Sequence, residues 1–152
     1  MKALLFLNAG AVERMAGTRD LRELGGLSKK MPVTFVSSLI ATFSISGIPP
    51  FNGFWSKLYI IVGCAYAGNL GLGLVAVIGS LLTLASFLRV QKYTFFGELK
   101  ENLAGVKEAP FLMGASMLAL AIICFGVGIM LPFIMQFIVG PAASVVLGGA
   151  GL

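Results

Sequence analysis

The sequence predicts an all-α integral membrane protein with about four transmembrane segments, the first partial and the second broken near Gly47–Pro50. One observation is composition: the 152 residues are 58% hydrophobic and only 11% charged, with a mean hydropathy of +0.98. Soluble domains carry roughly 45–50% apolar and about 25% charged residues. The other is clustering: all six acidic and nine of eleven basic residues lie within 13–30 and 89–108. Apolar runs separated by basic loops are typical of a multi-pass membrane protein.

Composition also excludes several classes of function. Disordered chains are polar and charge-rich, unlike this one. A nucleic-acid-binding protein would spread its basic residues along one continuous face. The chain has no histidine, which excludes Ser-His and Cys-His catalytic pairs and histidine metal ligands. Cys64 and Cys124 stand in apolar runs and are interpreted as small buried hydrophobic residues. We therefore expect no catalytic residue, no metal site and no cofactor.

The first segment, residues 1–17, is predicted to be half of a transmembrane helix. Its uninterrupted apolar core is Ala3–Leu7, which is shorter than the roughly 7–15 residues of a signal peptide. At 1.5 Å per residue, about twelve residues cross less than two-thirds of a bilayer of roughly 30 Å. A polar connector, residues 13–30, follows.

A long apolar run over 31–67 is predicted to be a broken helix. It opens with Pro32, which needs no donor at the first helical position. The run exceeds the roughly 20 residues of a single span, and the consecutive prolines at 49 and 50 interrupt it. Either two short helices meet inside one crossing, or a tight turn at Gly47–Gly53 joins two spans.

The distribution of charge favours one broken crossing. In that case the basic segments 13–30 and 89–108, with five and four Lys/Arg residues, lie on the same side. The positive-inside rule then predicts that both face the cytoplasm of a cell-membrane protein. Two crossings would put these segments on opposite sides.

Two further spans are predicted, at 74–96 and at 110–139. The stretch 69–73 is interpreted as an uncharged breaker before the first of them. Pro132 is expected to kink or shorten the second. The apolar tail after Gly140 is too rich in helix-breaking residues to predict a helix, so its order stays open.

Lys57 is the principal candidate for chemistry. It is the only charged residue between Met31 and Leu88. A charge inside a membrane costs about 2.5–3.5 kcal/mol on insertion scales and indicates an ion pathway. Such a lysine can exchange protons, and its charge acts on the next ionisable group. The alternative is that Lys57 snorkels toward the interface near Ala67, about 15 Å away.

The helix break is the second candidate. Irregular backbone at membrane depth persists only where protein buries it or where it lines a watery cavity. Transporters build ion sites from such discontinuous helices, although a purely structural proline kink is the alternative. The predicted hinge residues are Gly47, Pro49, Pro50 and Gly53. The polar side chains expected to line the break are Ser44, Ser46, Asn52 and Ser56.

Four ordered motifs, within 2–12, 17–21, 25–32 and 46–57, carry a specific resemblance. They closely resemble the C-terminal third of the antiporter-like subunits shared by complex I, Mrp-type cation/proton antiporters and membrane-bound hydrogenases. The last motif, Gly-Ile-Pro-Pro-Phe-Asn-Gly-Phe-Trp-Ser-Lys, is most similar to the hydrogenase-type and Mrp-type members. The match is strong over about residues 1–60, and beyond them only two further spans correspond.

The resemblance implies a fold and two site residues. Members have about fourteen transmembrane helices with two inverted repeats, each containing a broken helix and an ionisable residue on a proton path. By resemblance, Lys57 occupies that site in the second repeat, and Lys2 corresponds to the central lysine of the preceding helix. Leu58 stands where several relatives have an acidic residue, so a local carboxylate partner is missing.

The resemblance implies a membrane subunit of a respiratory or antiporter complex that translocates protons, or exchanges sodium for protons, through Lys57 and Lys2. It would have no catalytic centre of its own and would belong to an oxidoreductase-type complex. By resemblance, the first repeat and most of the second are not in this chain, so other antiporter-like and hydrogenase- or complex I-like membrane subunits are expected as partners. The alternative is a structural or assembly subunit with an incomplete ion path. A small drug/proton exchanger is disfavoured because all six carboxylates lie outside the spans.

Overall fold

The computed structural model of the chain describes residues 1–135 and 137, and its main elements are five α-helices. No strand occurs over this part of the chain, in agreement with the predicted all-α fold. The helices are α1 (Lys2–Ala16), α2 (Pro32–Ser46), α3 (Asn52–Tyr66), α4 (Leu70–Phe95) and α5 (Phe111–Ile134). The end of the predicted span 110–139 and the tail after Gly140 lie outside the described residues.

Helices α2 and α3 are the two halves of the predicted broken helix. Helix α2 begins at Pro32 and ends before Gly47, whose φ of 83° is left-handed. The Pro49–Pro50 peptide bond between the halves is cis, and α3 begins at Asn52. Each half has 15 residues, about 22 Å, which is too short to cross a bilayer of roughly 30 Å.

Helix α4 runs antiparallel to both halves. Near the start of α4, a Cβ at Gly73 would lie 3.7 Å from the Cβ of Cys64, which is near the end of α3. Near the end of α4, Gln91 hydrogen-bonds to Ser38 and Thr42 in the middle of α2. The two halves therefore lie one after the other along α4, as one broken crossing requires.

Helix α5 runs parallel to the two halves on another side. Gly114 in its first turn lies beside Val33, and Gly128 lies against the α2–α3 break at Pro50. Helices α4 and α5 have 26 and 24 residues, about 39 and 36 Å, and both are apolar enough to cross a membrane.

The two basic segments lie together at one end of the bundle. The Gly26 amide donates to the Phe96 carbonyl oxygen at 3.1 Å. Lys30 Nζ donates to the Ala104 carbonyl oxygen at 2.8 Å. Basic residues far apart in sequence are thereby brought to one surface, on the same side of the bundle.

A salt bridge lies at the same end of the bundle. Arg19 Nη2 lies 2.6 Å from Glu13 Oε1, just beyond α1. The hydrogen bond from this carboxylate, together with its charge, raises the pKa of the Arg19 guanidinium. Arg19 therefore stays charged at any physiological pH.

Helix α1 packs antiparallel to α2. Leu4 and Ala11 are fully buried in the core between α1, α2 and α5. The start of α1 lies at the level of the break, because Met1 Sδ would be 3.3 Å from a Cβ at Gly53. With 15 residues, α1 accompanies only the α2 half of the broken helix.

Two sequence interpretations need correction. Residues 69–73 are not a breaker, because α4 already begins at Leu70. Glycine is tolerated within a helix at a modest cost, and Gly73 is buried in contact with α3. Cys124 is buried as expected, whereas Cys64, on α3 beside α4, is only partly buried.

Candidate functional site at the helix break

The left-handed turn that ends α2 is built around the side chain of Lys57. A Cβ at Gly47 would lie 2.7 Å from Lys57 Cδ, so the lysine stem packs directly over this glycine. The positive φ of Gly47 is also a backbone conformation that other residues adopt only with strain. Position 47 therefore requires glycine both for its positive φ and for the space that the Lys57 stem occupies.

Lys57 binds the carboxyl end of α2. Its Nζ donates to the Ser46 carbonyl oxygen at 2.9 Å. The last carbonyls of a helix have no partner within it and carry the negative end of the helix dipole. The ammonium group, one turn into α3, thus bridges the two half-helices. The lysine is half-buried in this chain.

The break is tightly packed through glycines. A Cβ at Gly53 would overlap the Ser44 carbonyl oxygen, and one at Gly128 of α5 would overlap the Pro50 carbonyl oxygen. Trp55 Nε1 donates to the Gly128 carbonyl oxygen at 2.8 Å. These contacts hold α2, α3 and α5 together at one level.

The predicted lining residues are distributed unevenly around the break. Ser44 Oγ hydrogen-bonds to Asn52 Oδ1 and is fully buried. Ser46 Oγ is buried without a hydrogen-bond partner among the described residues. Ser56 and Lys2 are exposed, and neither is brought to Lys57 by a hydrogen bond in the described part.

Most of a buried polar face of α2 was missed by the sequence analysis, which named only Ser46 of the four residues described next. Four hydroxyl side chains recur at every fourth position, advancing about 40° around the helix axis per step. We call this set the hydroxyl ladder; its members are Thr34, Ser38, Thr42 and Ser46. All four are 0–7% exposed. From α4, Gln91 Nε2 donates to Ser38 Oγ at 2.6 Å and to Thr42 Oγ1 at 2.8 Å.

A carboxylate lies at the far end of the ladder. Glu108, in the loop before α5, accepts hydrogen bonds from Thr34 Oγ1 at 2.6 Å and from the Val33 amide at 2.8 Å. It therefore satisfies an amide at the N-terminus of α2, where a negative charge is favourable. One turn further along α2, Ser37 Oγ donates a hydrogen bond at 2.7 Å to Oδ1 of the buried Asn8 on α1.

Part of this arrangement was visible in the sequence. The spacing of the four hydroxyls by four residues is a helical pattern that could have been recognised. No sequence signal pairs Glu108 or Gln91 with α2, because 74 and 49–53 residues separate the bonded partners. Over residues 1–135 and 137, no group of His, Cys, Asp and Glu side chains is suited to hold a metal ion.

Comparison with known proteins extends these observations. Residues 1–83 match the family model described as NADH:quinone oxidoreductase/Mrp antiporter, TM. The chain is 35% identical to Na(+)/H(+) antiporter subunit A1 of Staphylococcus haemolyticus, an alignment covering 97% of the chain and 20% of that protein. It is 39% identical to a Na(+)/H(+) antiporter subunit of Alkalihalophilus pseudofirmus, over 78% of the chain and 23% of that protein.

Solved structures show the same likeness in three dimensions. A chain of the Mrp complex from Dietzia sp. superposes with a TM-score of 0.77 at 28% identity, over 84% of this chain and 32% of that one. A chain of the membrane-bound sulfane sulfur reductase, an archaeal respiratory membrane complex, superposes with a TM-score of 0.77 at 32% identity, over 82% of this chain and 21% of that one. The chain thus spans about a fifth to a third of the length of these proteins. The resemblance drawn from the four motifs is confirmed.

Proposed function

The chain belongs to the NADH:quinone oxidoreductase/Mrp antiporter family of transmembrane proteins, and on that premise we propose that it takes part in proton or sodium/proton translocation. Lys57, on the broken helix, is the residue that carries the proton. The observation that supports this most directly is the bond from Lys57 Nζ to the open carboxyl end of α2.

The chemistry of the site suits a proton carrier. Ammonium at the carboxyl end of α2 is stabilised by the helix dipole, so the charged form has a fixed position. A neutral amine would lose that attraction and hold the Ser46 carbonyl oxygen more weakly. Protonation therefore changes the bond that joins the two half-helices, which links the charge of Lys57 to the geometry of the break.

Lys2 is the second lysine of this proposal. It stands on the first turn of α1, and the neighbouring Met1 lies at the level of the break. Because Lys2 is exposed on this chain, an adjoining membrane subunit would cover it. We place such a subunit, of the antiporter-like or complex I-like kind, against the start of α1.

The orientation of the chain in the membrane follows from the position of the two basic segments at the same end of the bundle. Residues 13–30 and 89–108 hold nine Lys/Arg residues at one end of the bundle. By the positive-inside rule this end faces the cytoplasm, in a cell membrane. The break and Lys57 then lie about 22 Å, the length of α2, from the cytoplasmic end.

The test replaces Lys57 with alanine in the assembled complex. We expect Lys57→Ala to lower proton translocation by about tenfold or more, because the carrier is gone. Proton uptake by inverted membrane vesicles, followed with a pH-sensitive dye, measures the rate. The matched control is Lys92→Ala, which removes an exposed lysine near the end of α4 and should leave the rate unchanged.

Assembly is measured on the same membranes by quantifying the chain within the isolated complex. Normal translocation by an assembled Lys57→Ala complex contradicts the proposal. If deletion of the chain also dissociated its neighbours, the structural role considered above would replace it.

A further inference from the structure

A cleft lies between the polar connector and the end of α4, at the basic end of the bundle. Its volume is about 590 Å³; residues 19–22 form one wall, and Arg89, Val90 and Tyr93 of α4 form the other. Small-molecule sites have volumes of about 300–1,000 Å³. Three of the seven lining residues are arginines, so the cleft is suited to an anion.

Two of these arginines have no acidic partner in the described part of the chain. Arg19 is paired with Glu13. Asp20, the one acidic residue that lines the cleft, accepts a hydrogen bond from the Arg22 amide at 2.9 Å. The side chains of Arg22 and Arg89 are exposed and form no salt bridge with a described residue. Because a guanidinium binds phosphate oxygens through two parallel N–H donors, both side chains are available to a phosphate.

The cleft opens at the depth of the lipid headgroups. Residues 70–88 of α4 carry no charge and extend over about 28 Å, which matches a hydrocarbon core of roughly 30 Å. Arg89 follows directly. Tyr93, one turn further along α4, is half exposed, and tyrosine is enriched at the boundary between hydrocarbon and headgroups. The arginines of the cleft therefore lie where the phosphates of one leaflet lie.

An exposed apolar strip of α4 continues from the cleft into the hydrocarbon region. Its residues are Val75, Ile78 and Leu82, which are 55–65% exposed. They share one face of α4 with Arg89 and Tyr93, since all five positions fall within about 60° around the helix axis. A soluble phosphate would leave this strip uncovered, whereas the acyl chains of a lipid would lie along it.

We propose that the cleft binds an anionic phospholipid of the leaflet at the basic end of the bundle. Arg22 and Arg89 hold the phosphate, and the acyl chains lie along the apolar strip of α4. Basic clusters beside transmembrane helices attract anionic lipids, and a zwitterionic headgroup would bring a second cation to a cleft that is already positive. The bound lipid joins the connector to α4, because one wall of the cleft comes from each. This inference is independent of the role of Lys57.

The experiment identifies what occupies the cleft by photo-crosslinking within the assembled complex. Tyr93→benzoylphenylalanine places the photoreactive group in the cleft. Leu74→benzoylphenylalanine places it at the other end of α4, where the side chain is 64% exposed. The complex is reconstituted in vesicles of equal parts phosphatidylglycerol and phosphatidylcholine, and mass spectrometry identifies the adducts after irradiation.

The cleft probe is combined with a double variant, Arg22→Gln with Arg89→Gln. The matched control is Lys29→Gln with Lys107→Gln, which removes the same charge from exposed lysines that belong to the basic segments and do not line the cleft. At position 93 we expect phosphatidylglycerol adducts to exceed phosphatidylcholine adducts by about tenfold or more. The arginine variant should lower this ratio to about one to twofold, and the lysine variant should keep it. At position 74 the two lipids should react about equally.

Several results would overturn the proposal. Equal adducts of the two lipids at position 93, or a preference that the arginine and lysine variants lower equally, would leave only a general attraction to the basic end. Adducts with another polypeptide would mean that a neighbouring subunit fills the cleft. Loss of the lipid adducts in excess glycerol phosphate would mean that the cleft takes a soluble phosphate. If the arginine double variant does not assemble, Arg89→Gln is compared with Lys107→Gln, and equal ratios likewise refute the site.

Discussion

Lys57 and Gly47 depend on each other. The glycine provides the left-handed turn that exposes the last carbonyls of α2, and its missing side chain leaves room for the lysine stem. The lysine in turn satisfies the Ser46 carbonyl oxygen, which the turn exposes. A charged side chain in an apolar helix is tolerated when it pairs with such a group.

We predict that Gly47→Ala destabilises the chain and displaces Lys57. The positive φ alone costs about 1–2 kcal/mol for a residue with a Cβ, and the contact with Lys57 Cδ adds to that. Thermal unfolding in detergent measures the loss of stability. The control is Gly63→Ala on α3, which has open space around it and should be neutral or stabilising by up to about 1 kcal/mol. Equal stabilities of the two variants would refute this account.

Sequence reasoning singled out Lys57 and the hinge as candidates because both stand out locally. A single charge within a long apolar run, seven residues after two prolines, needs no knowledge of the fold. Glu108 did not stand out, because it lies in a charged loop and acquires its partner Thr34 only when the chain folds. Burial of Gln91 and its position against α2 likewise depend on how α4 crosses.

Among the helices, α5 holds the broken helix together. Its Gly128 lies against the backbone at Pro50, and its carbonyl oxygen accepts the Trp55 hydrogen bond. The two halves of the broken helix lack continuous backbone hydrogen bonds across Gly47–Phe51. Contacts with the continuous helices α4 and α5 therefore fix their alignment.

We predict that Gly128→Ala separates α5 from the break. A Cβ there overlaps the Pro50 carbonyl oxygen, and overpacking of this kind costs about 1–3 kcal/mol. The chain contains one tryptophan, so fluorescence reports on Trp55 alone. Its emission maximum should shift as the hydrogen bond to Gly128 is lost. Gly126→Ala, two residues away in open space, should give the wild-type spectrum; a shift in both variants, or in neither, contradicts the prediction.

The lengths of the apolar runs and the breakers between them predicted an all-helical chain with a broken second helix, but not where α4 begins. Gly71 and Gly73 weaken a helix in isolation, so residues 69–73 were interpreted as a break. In the folded chain Gly73 is buried in contact with α3 beside Cys64, and α4 includes both glycines. Tertiary packing outweighs propensity here, and a single sequence does not contain that information.

Across the whole molecule, the path of the helices places both basic segments at the same end of the bundle. One broken crossing by α2–α3, a return by α4 and a further crossing by α5 bring residues 26 and 96 into hydrogen-bonding contact. Residue 69, between α3 and α4, lies at the opposite end. The prediction from charge distribution and the path of the helices agree on this arrangement.

The arrangement predicts which sites are accessible from each side of the membrane. In a chain with Cys64→Ala and Cys124→Ala, single cysteines are introduced as Arg22→Cys, Lys100→Cys and Asn69→Cys, all at exposed positions. A membrane-impermeant maleimide should label the first two only from the cytoplasmic side, because the basic end stays inside. It should label the third only from the outside. Labelling of Arg22→Cys and Lys100→Cys from opposite sides would mean that α2 and α3 cross separately. Lys57 would then no longer lie at the middle of one crossing, where a proton carrier between two aqueous sides has to be.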